Sequence, residues 1–553
     1  MLAFVLATLL PALCCALPSV VINGTSILGR ALEYANQEAF RGIPYAETPL
    51  GRLRFHPPQP KIWSKLSHTF DATEFGSACL QPFALPGVQI SEDCLTLNIQ
   101  RPAGASNASA YPVMVWLHGG GFFAGRSSSP EFNATNLISY SVARGTPIIY
   151  VNLNYRLGPL GFPQGTQADN GRLNLGLKDQ LFALQWIHDH IAAFGGDPKK
   201  VTLFGESAGA FSTSIHLFNP VIEDLIGGVI LQSGAPSGGR AESRDAIWQK
   251  FVTAAGCRVE DSWTCLQVVD STTALKAIEA VIEWDNPISF APALDGPTGL
   301  IPDHPSRLYE EGRFAKIPVL SGLNLDEGTM FPPEKVASSQ EIREYLSKSY
   351  PSSGSDSVAL DKVLDTLMSL YPDIPALGSP YNTGNETFGL SSQFKRMAAL
   401  LGDLMFVAPG RLHLKALALA NVPIYSYLFT EKPGSAPLIG AVRTSFRKAP
   451  THSKVLQVAH SANIAYAYGQ PPTPVSASSQ QLAPIMMDYW LSFAYERNPN
   501  DGHGHNSKSS QYGIIPQNIS DNLTRARVAP LHVGISNHPA SQWRGPQDDP
   551  RRL

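Results

Sequence analysis

The residues best suited to chemistry lie in the run VTLFGESAGAFS, Val201 to Ser212, where apolar β-branched sequence breaks at Gly205-Glu206-Ser207-Ala208-Gly209 and resumes as small residues. That order predicts strand, sharp turn, helix. A serine on such a turn is pushed beyond the sheet edge with its hydroxyl exposed, and the backbone N–H groups after it face the same way. Gly205 and Gly209 lack the Cβ atoms that would hold strand and helix apart. Gly-x-Ser-x-Gly is unspecific by itself; its flanks give it weight.

A nucleophilic serine needs donors for the oxyanion it creates, a base, and an acid to orient the base. Donors are supplied upstream. The strand-length apolar run Pro112 to Leu117 empties into His118-Gly119-Gly120-Gly121-Phe122-Phe123, and three consecutive glycines expose backbone N–H groups that no side chain shields. In one fold class that presents serine this way, the chain order is Ser, acid, His. Asp326 and Glu327, after the strand-like Ile317 to Gly322, are the candidate acids, and spacing does not choose between neighbours. Seven histidines follow them: His413, His452, His460, His503, His505, His532 and His538. The last four sit in a polar tail and His413 in a helical run, which leaves His452 and His460. His460 is preferred because it follows a short apolar run and precedes a helix, with Ser461 as a candidate helix cap.

These residues must be positioned by alternating strands and helices. Thr146 to Tyr155 reads as a buried strand. Asn174 to Phe194 carries Leu177, Leu181, Leu184, Ile187 and Ile191 at helical spacing, and Gly195-Gly196-Asp197-Pro198 stops it. Val229 to Ser233 and Val422 to Thr430 are further strands. The alternation predicts a mostly parallel sheet wrapped on both faces. Residues from roughly 339 to 420 read as an inserted helical region, and beyond Asn498 no pattern is legible.

The chain has 553 residues, a net charge of −3, 43% hydrophobic and 16% charged residues, which fits one expanded α/β domain and excludes a disordered chain. Nothing in the charge balance suits nucleic acid. Met1 to Ala16 is an apolar run ending in small residues, read as a secretory signal peptide, leaving 17–553 as the catalytic domain; no later segment reads as a membrane span. Removing the signal leaves Cys79, Cys94, Cys257 and Cys265, which can pair in three ways. Six sequons, at Asn23, Asn107, Asn133, Asn385, Asn518 and Asn522, are open to glycosylation in a secreted chain. No metal-ligand spacing or phosphate loop is found, so neither metal nor cofactor is expected.

Glu92-Asp93-Cys94-Leu95, Gly119-Gly120-Gly121-Phe122, Asn154-Tyr155-Arg156-Leu157, the run AAFGGDPKKVTLFGESAG, Gln232-Ser233-Gly234-Ala235-Pro236, Asp326-Glu327-Gly328-Thr329 and His460-Ser461 together resemble the type-B carboxylesterase, cholinesterase and fungal lipase family, most of all its secreted fungal carboxylesterases. The match runs in order from about residue 20 to about 500. It implies an α/β-hydrolase fold, Ser207 as nucleophile, Glu327 as acid and His460 as base. It also implies Gly120, Gly121 and Ala208 as oxyanion donors, disulfides 79–94 and 257–265, and a supporting Glu206 that approaches Ser233.

Two departures bear on substrate. The loop between Cys79 and Cys94 lacks the tryptophan with which cholinesterases stack on a choline cation, and it is too short for the long flap of the fungal lipases. The expectation is a secreted serine carboxylesterase acting on a small-molecule or lipid ester. Triacylglycerol lipase is the second reading, and a non-catalytic binding module of the same fold the third.

Overall fold

The structure is a computed structural model describing residues 17–500, apart from 64–67, 83–85, 166–170, 239–243, 283–288, 334, 351–356, 433–452 and 473–476, together with 531–533. Residues 1–16, expected to be a signal peptide, and Phe83, His452, His503, His505, His538, Asn518 and Asn522 lie outside the described residues.

Ten strands form the central sheet: β1 (Arg30–Leu32), β2 (Gln37–Pro44), β3 (Thr96–Pro102), β4 (Tyr111–Leu117), β5 (Ile149–Leu153), β6 (Gly196–Glu206), β7 (Gly228–Gln232), β8 (Val319–Asn324), β9 (Ile424–Phe429) and β10 (Leu531–Val533). Their spatial order is β10-β9-β8-β7-β6-β4-β5-β3-β2-β1. From β5 to β10 every pairing is parallel, and the other three strands join antiparallel. This is the α/β-hydrolase architecture, a large mixed sheet flanked by helices. Strand β10 lies in the tail where no pattern was legible; its three residues complete an edge by pairing with Tyr427–Phe429, a partner supplied by the fold rather than by local sequence.

Strand β4 shows why the core runs read as unbroken apolar sequence. Successive side chains of a strand point to opposite faces. Val113, Val115 and Leu117 enter the cluster on one face, with Leu177, Leu184 and Ile187 of helix α2 (Leu175–His190), while Met114 and Trp116 enter the cluster on the other, with Leu137 and Ile138 of helix α1 (Thr135–Ala143) and Trp490 and Phe493 of a helix at Ala477–Glu496. Both faces are therefore dry, and the carboxyl ends of the strands are left as the place to build a site.

Between β8 and β9 lie helices at Ser339–Ser349, Ser357–Leu370, Ser392–Gly402 and Ala408–Leu419. The first three share a third cluster, Ile342, Leu346, Leu364, Phe394, Met397 and Leu400, with Val455, Leu456 and Ala459 just before His460, while Leu414 and Leu417 of the fourth join the first cluster. A π-helical turn at Asp403–Val407 fuses the last two helices into a 28-residue span, Ser392–Leu419, long and apolar enough by composition to cross a membrane. Because 61% of its most apolar window is buried inside the molecule, it is the core helix of this region.

Candidate active site

Strand β6 ends at Glu206, and helix α3 (Ala208–His216) starts two residues later, so Ser207 alone makes the turn. Its φ of +53° and ψ of −125° form a strained conformation for a residue with a side chain, held in place by a hydrogen bond from Ser207 N–H to Gln232 O (3.0 Å). The flanking glycines are required by contact. A Cβ on Gly209 would sit 2.0 Å from Leu117 O, and one on Gly205 2.6 Å from the Gly209 carbonyl carbon. Helix α3 thus begins against the end of β4, directly beside the glycine loop.

That loop carries Gly120 at φ +112° and Gly121 at φ +62°, and a Cβ on Gly120 would lie 2.2 Å from Ala124 O. His118 anchors it. Its ring stacks on Tyr155 (centroids 4.4 Å, planes 16° apart), its Nδ1 lies 2.8 Å from Gly119 O, and the Tyr155 hydroxyl donates to His118 O at 2.7 Å. Burial pushes the His118 pKa down to about 4, so this imidazole is neutral. The backbone N–H groups of Gly120, Gly121 and Ala208 belong to the two segments that converge on Ser207.

The adjacent acids do different things. Glu327 Oε2 lies 2.6 Å from His460 Nδ1, while its Oε1 accepts from Ser233 Oγ (2.5 Å) and the Asn324 backbone N–H (2.7 Å). Asp326 points elsewhere. Its carboxylate accepts from the Tyr381 N–H (2.8 Å), Ser379 Oγ (3.2 Å) and the Val458 N–H (3.2 Å), and its own N–H donates to Val458 O (3.0 Å). Asp326 therefore ties the loop that carries Glu327 to the loop that carries His460. Burial raises its pKa to about 6 against those hydrogen bonds.

His460 is buried between two carboxylates. Its Nε2, the nitrogen on the side away from Glu327, lies 3.2 Å from Glu206 Oε1 without the alignment of a hydrogen bond, and no other described group bonds to it. Burial works to lower its pKa, but Glu206 and Glu327 outweigh that and raise it above the ordinary histidine value. Burial, opposed by His460 and the Ser461 hydroxyl, raises Glu206.

The geometry details one expectation and corrects another. Glu206 does not bond to Ser233: the Ser233 proton goes to Glu327, and Glu206 Oε1 instead accepts from Ser461 Oγ at 2.5 Å. Nor does Ser461 cap a helix. The helix at Ile464–Ala467 starts from Asn463 with no side-chain cap, while Ser461 sits at φ +71° with its hydroxyl turned into the site.

Sequence reasoning also missed an aromatic wall. Phe406 and Phe331 lie 4.6 and 5.5 Å from the His460 ring, centroid to centroid, and Phe211 lies 6.0 Å from Phe406. Phe406 rides on the π-helical turn, a local irregularity common at functional sites. The only signal available was a phenylalanine in an apolar helix, which does not distinguish a pocket wall from core.

Elsewhere, Cys79 is bonded to Cys94 and Cys257 to Cys265. Asn23, Asn107, Asn133 and Asn385 are exposed. Among the described residues no group of three or more His, Cys, Asp or Glu side chains is arranged to hold a metal.

Known proteins resemble the chain over most of its length. The model of the carboxylesterase family matches residues 16–524. Lipase 1 of Geotrichum candidum is 32% identical over 538 residues, covering 88% of both chains. A secreted triacylglycerol lipase, LIP1, of Gibberella zeae is 33% identical over 529 residues (88% of this chain, 82% of that protein), and secreted lipase 1 of Botryotinia fuckeliana is 34% identical over 553 residues (91% and 88%). Among solved structures, Aspergillus niger EstA superposes with a TM-score of 0.73 at 28% identity, covering 88% of this chain and 90% of that one. A PNB esterase gives 0.70 at 28% identity, covering 90% and 93%. The chain belongs to the carboxylesterase family and is a carboxylic-ester hydrolase.

Proposed function

We propose, from that membership, that this hydrolase is secreted and works through an acyl-enzyme on Ser207, with His460 as base, Glu327 as its orienting acid, and the N–H groups of Gly120, Gly121 and Ala208 as the oxyanion hole. The observation that carries the reading is the buried 2.6 Å contact between His460 Nδ1 and Glu327 Oε2, with Nε2 3.2 Å from Glu206, the residue before a serine held at φ +53°. With Nδ1–H donated to Glu327, the lone pair sits on Nε2, the atom a base must offer.

In the acylation step Ser207 Oγ attacks the ester carbonyl, Nε2 takes its proton, and the carbonyl oxygen becomes an anion facing the donors of the glycine loop and α3. Collapse passes the proton from Nε2 to the departing alkoxide and leaves the acyl group on Ser207. Water then repeats the sequence and frees the acid. The donors cost no reorganisation because both segments are locked by the close contacts at Gly120 and Gly209. Glu327 holds the imidazolium in place, and its second oxygen, bonded to Ser233 and Asn324, cannot swing away.

A soluble-ester specificity is the leading choice, supported by the short loop between Cys79 and Cys94 and by the likeness to the PNB esterase structure. A triacylglycerol lipase is the second reading, favoured by the sequence relatives that are lipases. Export is supported by the apolar leader, two disulfides and the secreted relatives.

Two assays test this. A fluorophosphonate probe should label Ser207 and not the Ser207→Ala variant, and short p-nitrophenyl esters should be turned over only by the former; an unlabelled wild type would leave the binding-module reading standing. Rates on soluble short esters against emulsified long-chain glycerides then choose between esterase and lipase, and a large preference for the emulsion makes the protein a lipase.

A further inference from the structure

His460 lies between two carboxylates, and only Glu327 is used to orient it. Glu206 Oε1 is the oxygen 3.2 Å from Nε2, and the same oxygen accepts the Ser461 hydroxyl. Ser461 follows the base directly, is 2% exposed, and holds a left-handed backbone at φ +71° that a residue with a Cβ seldom adopts. Strain of this kind persists where surrounding contacts over-determine it.

We propose that Ser461 is a positioning residue: its hydroxyl holds Glu206 Oε1 on the Nε2 side of His460, so that the base works between two anchored carboxylates, Glu327 behind it and Glu206 in front. This role rests on Ser207 being the nucleophile and His460 the base. Two consequences follow from the chemistry. Donation by Ser461 stabilises the ionised form of Glu206 against burial, which pushes it toward the neutral form. It also occupies a lone pair of the oxygen that would otherwise compete with Ser207 and the leaving alkoxide for the Nε2 proton.

Of the other titratable groups around the pair, Tyr155 feels Glu206, and Tyr427 feels both Glu206 and Glu327; burial raises both phenols and keeps them neutral. Asp326, next to Glu327, is raised to about 6 and does titrate in the working range, but its carboxylate faces Tyr381, Ser379 and Val458 and is left intact by every substitution at Ser461 and Glu206. The rings of Phe331 and Phe406 carry no charge. Differences in the acid limb between the variants thus report His460 under the changed influence of Glu206, with Glu327 and Asp326 common to all of them.

The test is the pH dependence of kcat/KM on a soluble p-nitrophenyl ester for Ser461→Ala, Ser461→Gly, Glu206→Gln and the double variant Ser461→Ala with Glu206→Gln. Losing the hydroxyl lets Glu206 drift toward its neutral form, so both Ser461 variants should retain a several-fold larger share of plateau activity at about pH 5.5 than the wild type, with the acid limb moved to lower pH. Glu206→Gln should move it further, and the double variant should match Glu206→Gln alone, because one interaction is removed twice. Ser461→Gly should melt above Ser461→Ala, since glycine relieves the left-handed strain while the hydroxyl is absent from both. An acid limb unmoved in both Ser461 variants while Glu206→Gln shifts it overturns the proposal. So does a double variant whose shift is the sum of the two single shifts. Fluorophosphonate labelling of every variant separates these outcomes from failure of the serine-hydrolase reading, which would abolish labelling in the wild type as well.

Discussion

His118 and His460 are both buried at the carboxyl edge of the same sheet, on either side of Ser207, and their imidazoles are tuned in opposite directions. His118 meets a carbonyl and the face of Tyr155 and feels the positive Arg126, so burial dominates and its pKa falls to about 4. His460 meets Glu206 and Glu327, which reverse the sign. One side of the site is a neutral, rigid frame for donors; the other is a charged, titrating device for moving a proton. Burial decides the first, and two carboxylate partners reverse its effect in the second.

The largest effect should come from the titrating side. On the proposed mechanism His460→Ala removes the base, and kcat/KM on p-nitrophenyl esters should fall by about 10⁴-fold or more, with a residual rate left by the proposed oxyanion donors. Glu327→Gln keeps the shape but loses the charge that orients the ring and balances the imidazolium, and a fall of about 10³-fold in kcat with KM nearly unchanged is expected. Its neighbour should behave otherwise. Asp326→Ala leaves the Val458 and Tyr381 N–H groups and the Ser379 hydroxyl without an acceptor, so urea unfolding should show a loss of about 2–4 kcal/mol. A stability loss at Glu327 and a rate loss at Asp326 would invert the assignment of the two acids.

On the neutral side, His118→Phe keeps a ring over Tyr155 but loses the contact to Gly119 O, and a loosened glycine loop should lower kcat by about tenfold. The smallest and most telling difference is in pH. Because His460 must be neutral to act and its pKa is raised, wild-type kcat/KM should begin to fall, as the solution is acidified, above the ordinary histidine range. His118→Phe should leave that limb where it is. A limb that moves with His118 would mean that the two sides are electrostatically coupled rather than independently tuned.

Much of the site is readable in the chain. The turn at Ser207 and the glycine run at Gly119 to Gly121 are local: a buried strand, a backbone that only glycine permits, and a helix start occupy consecutive residues, so their chemistry is written where it is used. His460 was narrower, preferred over His452 by what flanks it. Asp326 against Glu327 was not readable from spacing, because two neighbouring side chains on an irregular loop diverge according to contacts with Val458, Tyr381 and His460, 55 to 133 residues away in the chain. The resemblance to the family implied Glu327 as the acid; it did not reveal that Ser233 bonds to Glu327 and Glu206 to Ser461.

The sequence by itself determined the reaction class, since nucleophile turn, donor loop and sheet alternation depend on residue type and short-range periodicity. Tertiary structure alone decided which carboxylate faces which nitrogen of His460, that Ser461 turns inward to Glu206 rather than capping a helix, and that a π-helical turn sets Phe406 against the base. Those outcomes hang on how closely segments far apart in the chain approach one another, and no local pattern encodes that approach.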